Sequence, residues 1–326
     1  MKNRFLAAAA CLMAAVLLLS GCSAKERYYG GVSERTDSDM SAYTADILPQ
    51  SQDNAYGDRV TATLYFRYLS ENMLAGIEQE FDVTAEKTLE EMVVQALIDG
   101  PQDCSYQFNA LINPETRLVS VKEQSGYLSV TLSKEFLERT DENIIADAQR
   151  RRLAVQSIVN SVASVGNFSR VLLLVDENNT GNGQRISYAE AGWEEMEETI
   201  IEPLELDASV LLTPENVVDI VMNALVEKDY GKLEYYLASS DYDGTVRPRY
   251  AEFTEVLDSK ATIVGFERTD PAMVAGDGSR AVAVISIKYI DAGGKTAELT
   301  ALPIRLMHEG VWKVSFQSLQ TMFPEY

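Results

Sequence analysis

The N-terminal segment constrains this chain most, because it decides on which side of a membrane the rest of the chain folds. Lys2 and Arg4 give the N-terminus a positive charge, and an apolar run follows from Phe5 to Leu19. That run of about 15 residues suits the hydrophobic region of a secretion signal and is shorter than the roughly 20 residues that a spanning helix needs. The sequence therefore predicts export of the chain that follows.

Small residues close this apolar run and lead into a cysteine. The stretch Leu19-Ser20-Gly21-Cys22 resembles the lipobox of bacterial lipoproteins. The resemblance implies that residues 1–21 are a lipoprotein signal peptide and that the thiol of Cys22 is lipidated. Two or three acyl chains hold a protein at a bilayer, since each buried methylene contributes about 0.8 kcal/mol. A plain cleaved signal and a short membrane anchor are the alternatives.

The lipoprotein interpretation predicts a cell-membrane protein, anchored by palmitate-like chains on the extracytoplasmic face, as in a Gram-positive envelope. Residues 22–58 would form a flexible tether, because they are rich in Ser, Asp, Gly and Tyr and contain few aliphatic residues. Such a segment cannot bury enough apolar area to offset the entropy of ordering it.

Charge and rare residues exclude several classes of function. The formal net charge is −22, from 28 basic and 50 acidic residues, so the chain repels nucleic acid and we predict no nucleic-acid partner. Its three cysteines are Cys11, Cys22 and Cys104. Cys11 would leave with the signal and Cys22 would be lipidated, so Cys104 stands alone. An intramolecular disulfide and a thiolate metal cluster are thereby excluded. His308 is the single histidine, which excludes His-rich metal sites.

Residues 59–177 show the pattern of an α+β domain. Val60, Ala62, Leu64 and Phe66 alternate with polar residues and predict a strand. Thr88 and Glu91 form a capping box before a helix that Gly100 and Pro101 end. Two strands joined near Ser125-Gly126, a long helix with its apolar stripe from Ala148 to Val165, and an apolar strand over 171–175 follow. The predicted order is β-α-β-β-α-β, with helices on one side of a sheet.

Residues 60–176 resemble the GerMN domain of bacterial sporulation and spore-germination proteins. The matching stretches are Leu64-Tyr65-Phe66, Ala96 to Pro101, Ile112 to Thr116, Val130 to Phe136, Gln156 to Val162 and Val175-Asp176. Thr131 stands where the family has an acid. The resemblance implies a two-layer domain, a non-enzymatic role in protein assembly, and a link to sporulation or germination.

A connector over residues 178–212 leads to a second domain over residues 213–326. Thr213 and Pro214 suit the start of a helix, and shorter helices are predicted near 230–237 and 251–257. Alternating residues then predict four strands, the last of them carrying Trp312, Val314 and Phe316. Helices followed by an antiparallel meander resemble the nuclear-transport-factor-2-like (NTF2-like) cone fold, which implies an α+β domain whose sheet curls around a cavity.

Candidate site residues are few, and each also has a structural explanation. His308 precedes a predicted hairpin turn and lacks a predictable acid partner. Tyr235, Tyr236 and Asp229 would line a cone cavity, although aromatic residues on helices usually lie in the core. The acidic run Glu194, Glu195, Glu197 and Glu198 lacks the loop pattern of an EF-hand and indicates a solvated face. We therefore predict no catalytic, cofactor-binding or metal site, and Cys22 as the lipidation site.

Two functional hypotheses follow. The first is a membrane-anchored, non-catalytic lipoprotein that contacts envelope proteins, or copies of itself, through an exposed strand edge or helix face. The alternative is a lipoprotein that binds a small molecule in a cavity of the C-terminal domain. An enzyme acting on the wall or on lipid is a third possibility, without a catalytic cluster to support it.

Overall fold

The structure is a computed structural model that describes residues 59–102, 107–193, 199–269, 271–291 and 293–323. The predicted signal peptide, the lipidation site Cys22 and the tether lie outside the described residues. So do Cys104 and the acidic run Glu194 to Glu198.

The described chain begins with a hairpin that builds a three-stranded sheet. Strand β1 (Arg59–Tyr68) pairs antiparallel with β2 (Leu74–Asp82) along its whole length, and a short β3 (Phe108–Asn109) pairs with the end of β1. Sequence reasoning missed β2, because its apolar positions alternate with Glu78, Glu80 and Asp82 only over the second half of the strand.

A second sheet follows, with two helices that contact both sheets. Helix α1 is Leu89–Asp99, β4 is Leu118–Gln124, β5 is Tyr127–Ser133, α2 is Ile144–Ser164 and β6 is Arg170–Asp176. Strands β4 and β5 are antiparallel, whereas β5 and β6 are parallel. Helix α1 packs on β1 and β4, and α2 packs on β1 and β6. The prediction of one β-α-β-β-α-β sheet was therefore incomplete, since β1 lies in a sheet of its own with β2 and β3.

The local signals for helix ends in this region are confirmed. Thr88 caps α1 in a capping box with Glu91, and Gly100 ends the helix at a φ of +81°. Residues of the predicted connector also add to the second sheet: β7 (Gln184–Arg185) and β8 (Leu204–Glu205) both pair with β6.

The C-terminal part places helices before an antiparallel sheet, as predicted. Its helices are α3 (Pro214–Glu227), α4 (Tyr230–Tyr235) and α5 (Tyr250–Asp258), and Thr213 caps α3 with Pro214 in its first turn. Its strands are β9 (Thr262–Arg268), β10 (Met273–Val274), β11 (Arg280–Ile290), β12 (Thr296–Glu309) and β13 (Val311–Val314), and a final helix α6 is Phe316–Thr321. Phe316 was predicted on the last strand, but it begins α6 because the chain leaves the sheet after Val314. The predicted α+β class is confirmed.

The inner face of this second part is filled by side chains. Ala283, Ile285, Ile304 and Leu306 on β11 and β12 are completely buried. Their core also contains buried residues of the helices, namely Val217, Val221, Met222, Leu233, Phe253, Phe316 and Leu319.

The two parts share contacts at one junction. The Leu212 amide donates to the Leu74 carbonyl oxygen at 2.8 Å, and the rings of Tyr68 and Tyr236 meet edge to face at 5.7 Å between centroids. Lys232 on α4 lies 2.9 Å from the Glu71 carboxylate in the β1–β2 loop. The ends of β1 and β2 are therefore fixed against the C-terminal part.

Candidate interaction surface

One edge of the β1–β2 sheet is closed by serine side chains. The Tyr65 amide donates to Ser161 Oγ at 2.9 Å, and the Ser157 hydroxyl donates to the Tyr65 carbonyl. Ser164 Oγ lies 3.4 Å from the carbonyl oxygen of Thr63. Helix α2 therefore takes the place of a further strand, and the backbone of β1 is satisfied where no strand reaches it.

The opposite edge, formed by β2, is open over most of its length. Backbone groups alternate in direction along an antiparallel strand, and the outward carbonyl of Leu74 accepts from Leu212. Gly76, Glu78 and Glu80 therefore also direct their N–H and C=O groups away from β1. Within the part of the chain that the structure describes, none of these groups has a hydrogen-bond partner. We call the outward backbone from Gly76 to Asp82 the β2 edge.

Acidic side chains accompany the β2 edge. Glu78, Glu80 and Asp82 are exposed on one face of the sheet. Arg59 across the hairpin lies 3.3 Å from both the Glu80 and the Asp82 carboxylates. These ion pairs are solvent-exposed and contribute little to stability. The surface presented to a neighbouring strand is thus anionic. Of its three carboxylates, only that of Glu78 has no ion pair within the described residues.

A cleft of about 700 Å³ lies at the junction between the two parts. Its lining includes Arg67, Glu71, Arg150, Asp229 and Lys232. The charges in this cleft already have partners: Arg67 donates to the Glu71 and Ser70 carbonyls, and Arg150 donates to the Leu111 carbonyl and to Asp147. Lys232 pairs with Glu71, and Asp229 caps α4 by accepting from the Lys232 amide. Each charged residue named here as lining the cleft is thus engaged in an ion pair or a hydrogen bond.

The structure separates the three residues proposed for a cone cavity. Asp229 and Tyr235 line the junction cleft, with Tyr235 half exposed, whereas Tyr236 is completely buried against Tyr68. The Tyr236 hydroxyl has no hydrogen-bond partner among the described residues, and burial raises its pKa well above the usual value. Tyr236 is therefore a core residue. This agrees with the structural explanation considered for it from the sequence, that aromatic residues on helices usually lie in the core.

His308 lies exposed at the end of β12, beside the hairpin turn predicted from Glu309-Gly310. Its ring packs edge to face on Trp312 at 5.0 Å. Partial desolvation lowers the pKa of His308 and the nearby Glu78 carboxylate raises it, with a net shift downward. Glu78 on β2 therefore acts on His308 electrostatically. Ser279 lies opposite His308, where its carbonyl oxygen accepts from the His308 amide at 2.9 Å and its hydroxyl donates to Asp277 at 2.8 Å.

Two further observations concern metals and membranes. Across the described ranges, no three His, Cys, Asp or Glu side chains cluster in a way that could hold a metal ion. Of the helices described, none combines the length and apolar character needed to cross a bilayer.

Residues 63–180 match the family described as "Germane: Sporulation and spore germination". This match covers the domain whose resemblance to GerMN proteins was stated from the sequence, and it confirms that expectation. No curated protein matches the chain.

Solved structures with local similarity come from several bacteria. A candidate lipoprotein from Clostridium perfringens is 20% identical, with 39% of this chain and 80% of that chain covered and a TM-score of 0.25. The tandem GerMN domains of the sporulation protein GerM from Bacillus subtilis are 14% identical, with 51% of each chain covered and a TM-score of 0.32. A candidate polyketide cyclase from Pseudomonas putida is 22% identical, with 32% and 89% covered and a TM-score of 0.22. All these TM-scores are below 0.5, so the family match is the comparison that bears on function.

Proposed function

We propose that this chain is a sporulation-related lipoprotein of the cell envelope that binds a partner protein and carries out no catalysis. The family match over residues 63–180 supports the link to sporulation and germination. Cys22 would carry the lipid anchor on the extracytoplasmic face, and the tether over residues 22–58 would let the folded part reach away from the membrane. In the part of the chain that the structure describes, the charges of the junction cleft are engaged and the His308 ring packs on Trp312, which supports a role without catalysis.

The observation that carries the proposal is the open β2 edge. An extended segment of a partner can add to such an edge through main-chain hydrogen bonds, while its side chains provide specificity. The opposite edge of the same sheet is closed by Ser157 and Ser161, so pairing is directed to β2 alone. Because Glu78, Glu80 and Asp82 flank the β2 edge, the partner strand would carry basic residues.

Photo-crosslinking in intact cells tests this proposal. A photoreactive amino acid at Glu78 should give a discrete adduct with an envelope protein, whereas the same group at Glu142, which is exposed in a loop before α2, should not. Equal labelling from both positions, or an adduct from neither, would refute strand addition at β2.

A proline variant separates strand pairing from mere proximity. Glu80→Pro removes an N–H that points away from β1, so the hairpin keeps its ladder while the partner loses a donor. We expect the Glu78 adduct to fall several-fold and the far-UV circular dichroism to stay unchanged. If the variant unfolds, Glu80→Lys serves instead, because a like charge should repel a basic partner strand.

The anchoring step has its own test. Labelled palmitate should enter the parent chain and not Cys22→Ala. Incorporation of palmitate into the variant, or none into the parent, would contradict an anchor at Cys22.

The sporulation role is tested by a deletion strain. Normal sporulation and germination in that strain would remove the sporulation role and leave the interaction proposal standing.

A further inference from the structure

The outer face of the C-terminal sheet carries two arginines around a tyrosine ring. The guanidinium carbon of Arg280 lies 4.9 Å from the centroid of Tyr242, and that of Arg305 lies 5.7 Å from it. The Tyr242 hydroxyl lies 3.0 Å from the Ala281 carbonyl oxygen and 2.7 Å from that of Leu306. These contacts fix the Tyr242 ring on the sheet, and both guanidinium groups lie against that same ring.

Apolar side chains extend this cluster along the same face. Ala281 and Leu306 face the core, so their neighbours Arg280, Val282 and Arg305 face outward. Val282 pairs with Arg305 on one side and with Met273 on the other. Met273 is 68% exposed, an unusual degree for a large apolar residue that has a paired position in a sheet. We call Tyr242, Met273, Arg280, Val282 and Arg305 the arginine–tyrosine face.

Arg280 and Arg305 form no ion pair with a carboxylate within the described ranges, as is also true of six of the twelve other arginines there. Arg59, Arg150, Arg151, Arg185, Arg247 and Arg268 each form an ion pair. Neither Arg280 nor Arg305 does so within the described ranges, although both are exposed and acids outnumber bases by 50 to 28. The Asp277 carboxylate accepts from the Ser279 amide at 3.0 Å and from its hydroxyl at 2.8 Å, and the charge of Arg280 also helps to lower the pKa of Asp277.

We propose that the arginine–tyrosine face binds an acidic, partly apolar segment of another protein chain. Guanidinium groups accept carboxylates in a two-point geometry, and stacking on Tyr242 orients them before binding. Arginine, tyrosine and methionine are the residue types enriched where protein surfaces meet, and Met273 with Val282 supplies the apolar contact. A short segment with a few carboxylates fits better than a polyanion, because the net charge of −22 repels long anionic polymers and anionic bilayers. This surface shares no residue with the β2 edge, which favours a basic partner.

Fluorescence anisotropy tests the proposal on the full chain carrying Cys22→Ser, which removes the predicted lipid. The probe is a labelled ten-residue peptide of alternating Glu and Leu, compared with a peptide of alternating Gln and Leu. We expect the Glu peptide to bind at least tenfold more tightly, and its affinity to fall as salt rises from 50 to 300 mM, since salt screens the charge contacts.

A matched pair of double variants assigns the site. Arg280→Gln with Arg305→Gln should weaken binding of the Glu peptide about tenfold. Lys122→Gln with Arg139→Gln removes two other exposed cations, leaves the same net charge, and should change the affinity less than twofold. Both pairs should keep the thermal midpoint of the parent, because all four side chains are exposed.

Three outcomes would overturn the proposal. The first is no binding of the Glu peptide at millimolar concentration. The second is an equal loss of affinity in the two double variants, which would indicate long-range attraction without a site. The third is tighter binding to phosphatidylglycerol vesicles than to the Glu peptide, with the vesicle binding lost in Arg280→Gln with Arg305→Gln. That result would mean that the arginine–tyrosine face binds lipid.

Discussion

At the residue scale, Asp147 in the first turn of α2 is the least exposed charged residue in the part of the chain that the structure describes. Its side chain is 1% exposed and lies 3.0 Å from the Arg150 guanidinium. It also accepts from the Thr140 amide at 3.0 Å. Burial by itself raises the pKa of this carboxyl, but the hydrogen bonds from Thr140 and Arg150 outweigh burial, so the pKa is lower than usual. Asp147 thus ties α2 to the loop before it.

Replacing Asp147 by Asn should destabilise the protein, because it leaves the partly buried Arg150, whose side chain is 12% exposed, without a counter-charge. We expect the free energy of unfolding in urea at pH 7 to fall by roughly 3 kcal/mol. A carboxyl with a lowered folded pKa stabilises above its unfolded pKa of about 4, and this contribution is lost as pH falls through the folded value. The difference between parent and Asp147→Asn should therefore shrink below about pH 4. Glu142→Gln, at an exposed site, should change stability by less than about 0.5 kcal/mol.

His308 gives a second prediction, which is simple to measure because the chain has one histidine. Its imidazole resonances should titrate with a midpoint below about 6.5, since partial desolvation disfavours the charged ring. Glu78→Gln removes the carboxylate that supports the charge and should lower the midpoint further. Because the folded pKa is lowered, the stability linked to His308 is present above about pH 6.5 and is lost as pH falls. A midpoint that rises in Glu78→Gln would contradict an attraction between the Glu78 carboxylate and the His308 ring.

At the element scale, the sequence predicts helices and their ends better than it predicts sheet partners. Thr88, Glu91, Gly100 and Thr213 act within a few residues of themselves, so their roles could be read from spacing. The open β2 edge could not be predicted from spacing, because it depends on which strand lies beside β1 and on whether another element covers β2. The serine stripe on α2 likewise has no signal in the sequence, since serines at helical spacing normally indicate a solvated face.

Ser161 should contribute more to the free energy of unfolding than an ordinary buried serine does. Ser161→Ala removes the acceptor for the Tyr65 amide, which is buried and has no strand beside it. We expect urea unfolding to report a loss of about 1–3 kcal/mol, the cost of an unpaired buried donor. Ser125→Ala, at an exposed turn, should be neutral to within about 0.5 kcal/mol. A neutral Ser161→Ala would show that water or a backbone shift can replace the hydroxyl.

Gly192 places the segment after β7 directly on the backbone of α2. A Cβ at this position would lie 2.0 Å from the Ala148 carbonyl oxygen, and the φ is +97°. Gly181 also has a positive φ, +79°, but has nothing within 4 Å of such an atom. Gly181→Ala should therefore cost only about 1 kcal/mol for the backbone conformation, whereas Gly192→Ala should cost well over 2 kcal/mol because the helix must move. Equal thermal shifts in the two variants would refute this close contact.

At the scale of the whole molecule, the junction should make the two parts unfold together. Tyr68 packs on Tyr236, Lys232 pairs with Glu71, and Leu212 continues the edge of β2 at Leu74. Trp193 and Trp312 are the two tryptophans, one in each part, so Trp312→Phe and Trp193→Phe leave one reporter each. We expect the urea midpoints from the two reporters to coincide, as in a cooperative transition. Midpoints that differ clearly would mean that the junction couples the parts weakly.

The sequence by itself determined the α+β class and the family match over residues 63–180, and it predicts a secretion signal and the lipidation of Cys22, which stay predictions. These depend on local order and composition, which the chain carries without folding. Only the tertiary structure decided that β1 lies in a sheet of its own, that α2 closes one edge while β2 stays open, and that Arg280 and Arg305 meet at Tyr242. The physical reason is that edges and surface clusters are properties of neighbours far apart in sequence, and no local periodicity encodes which element fills the space beside another.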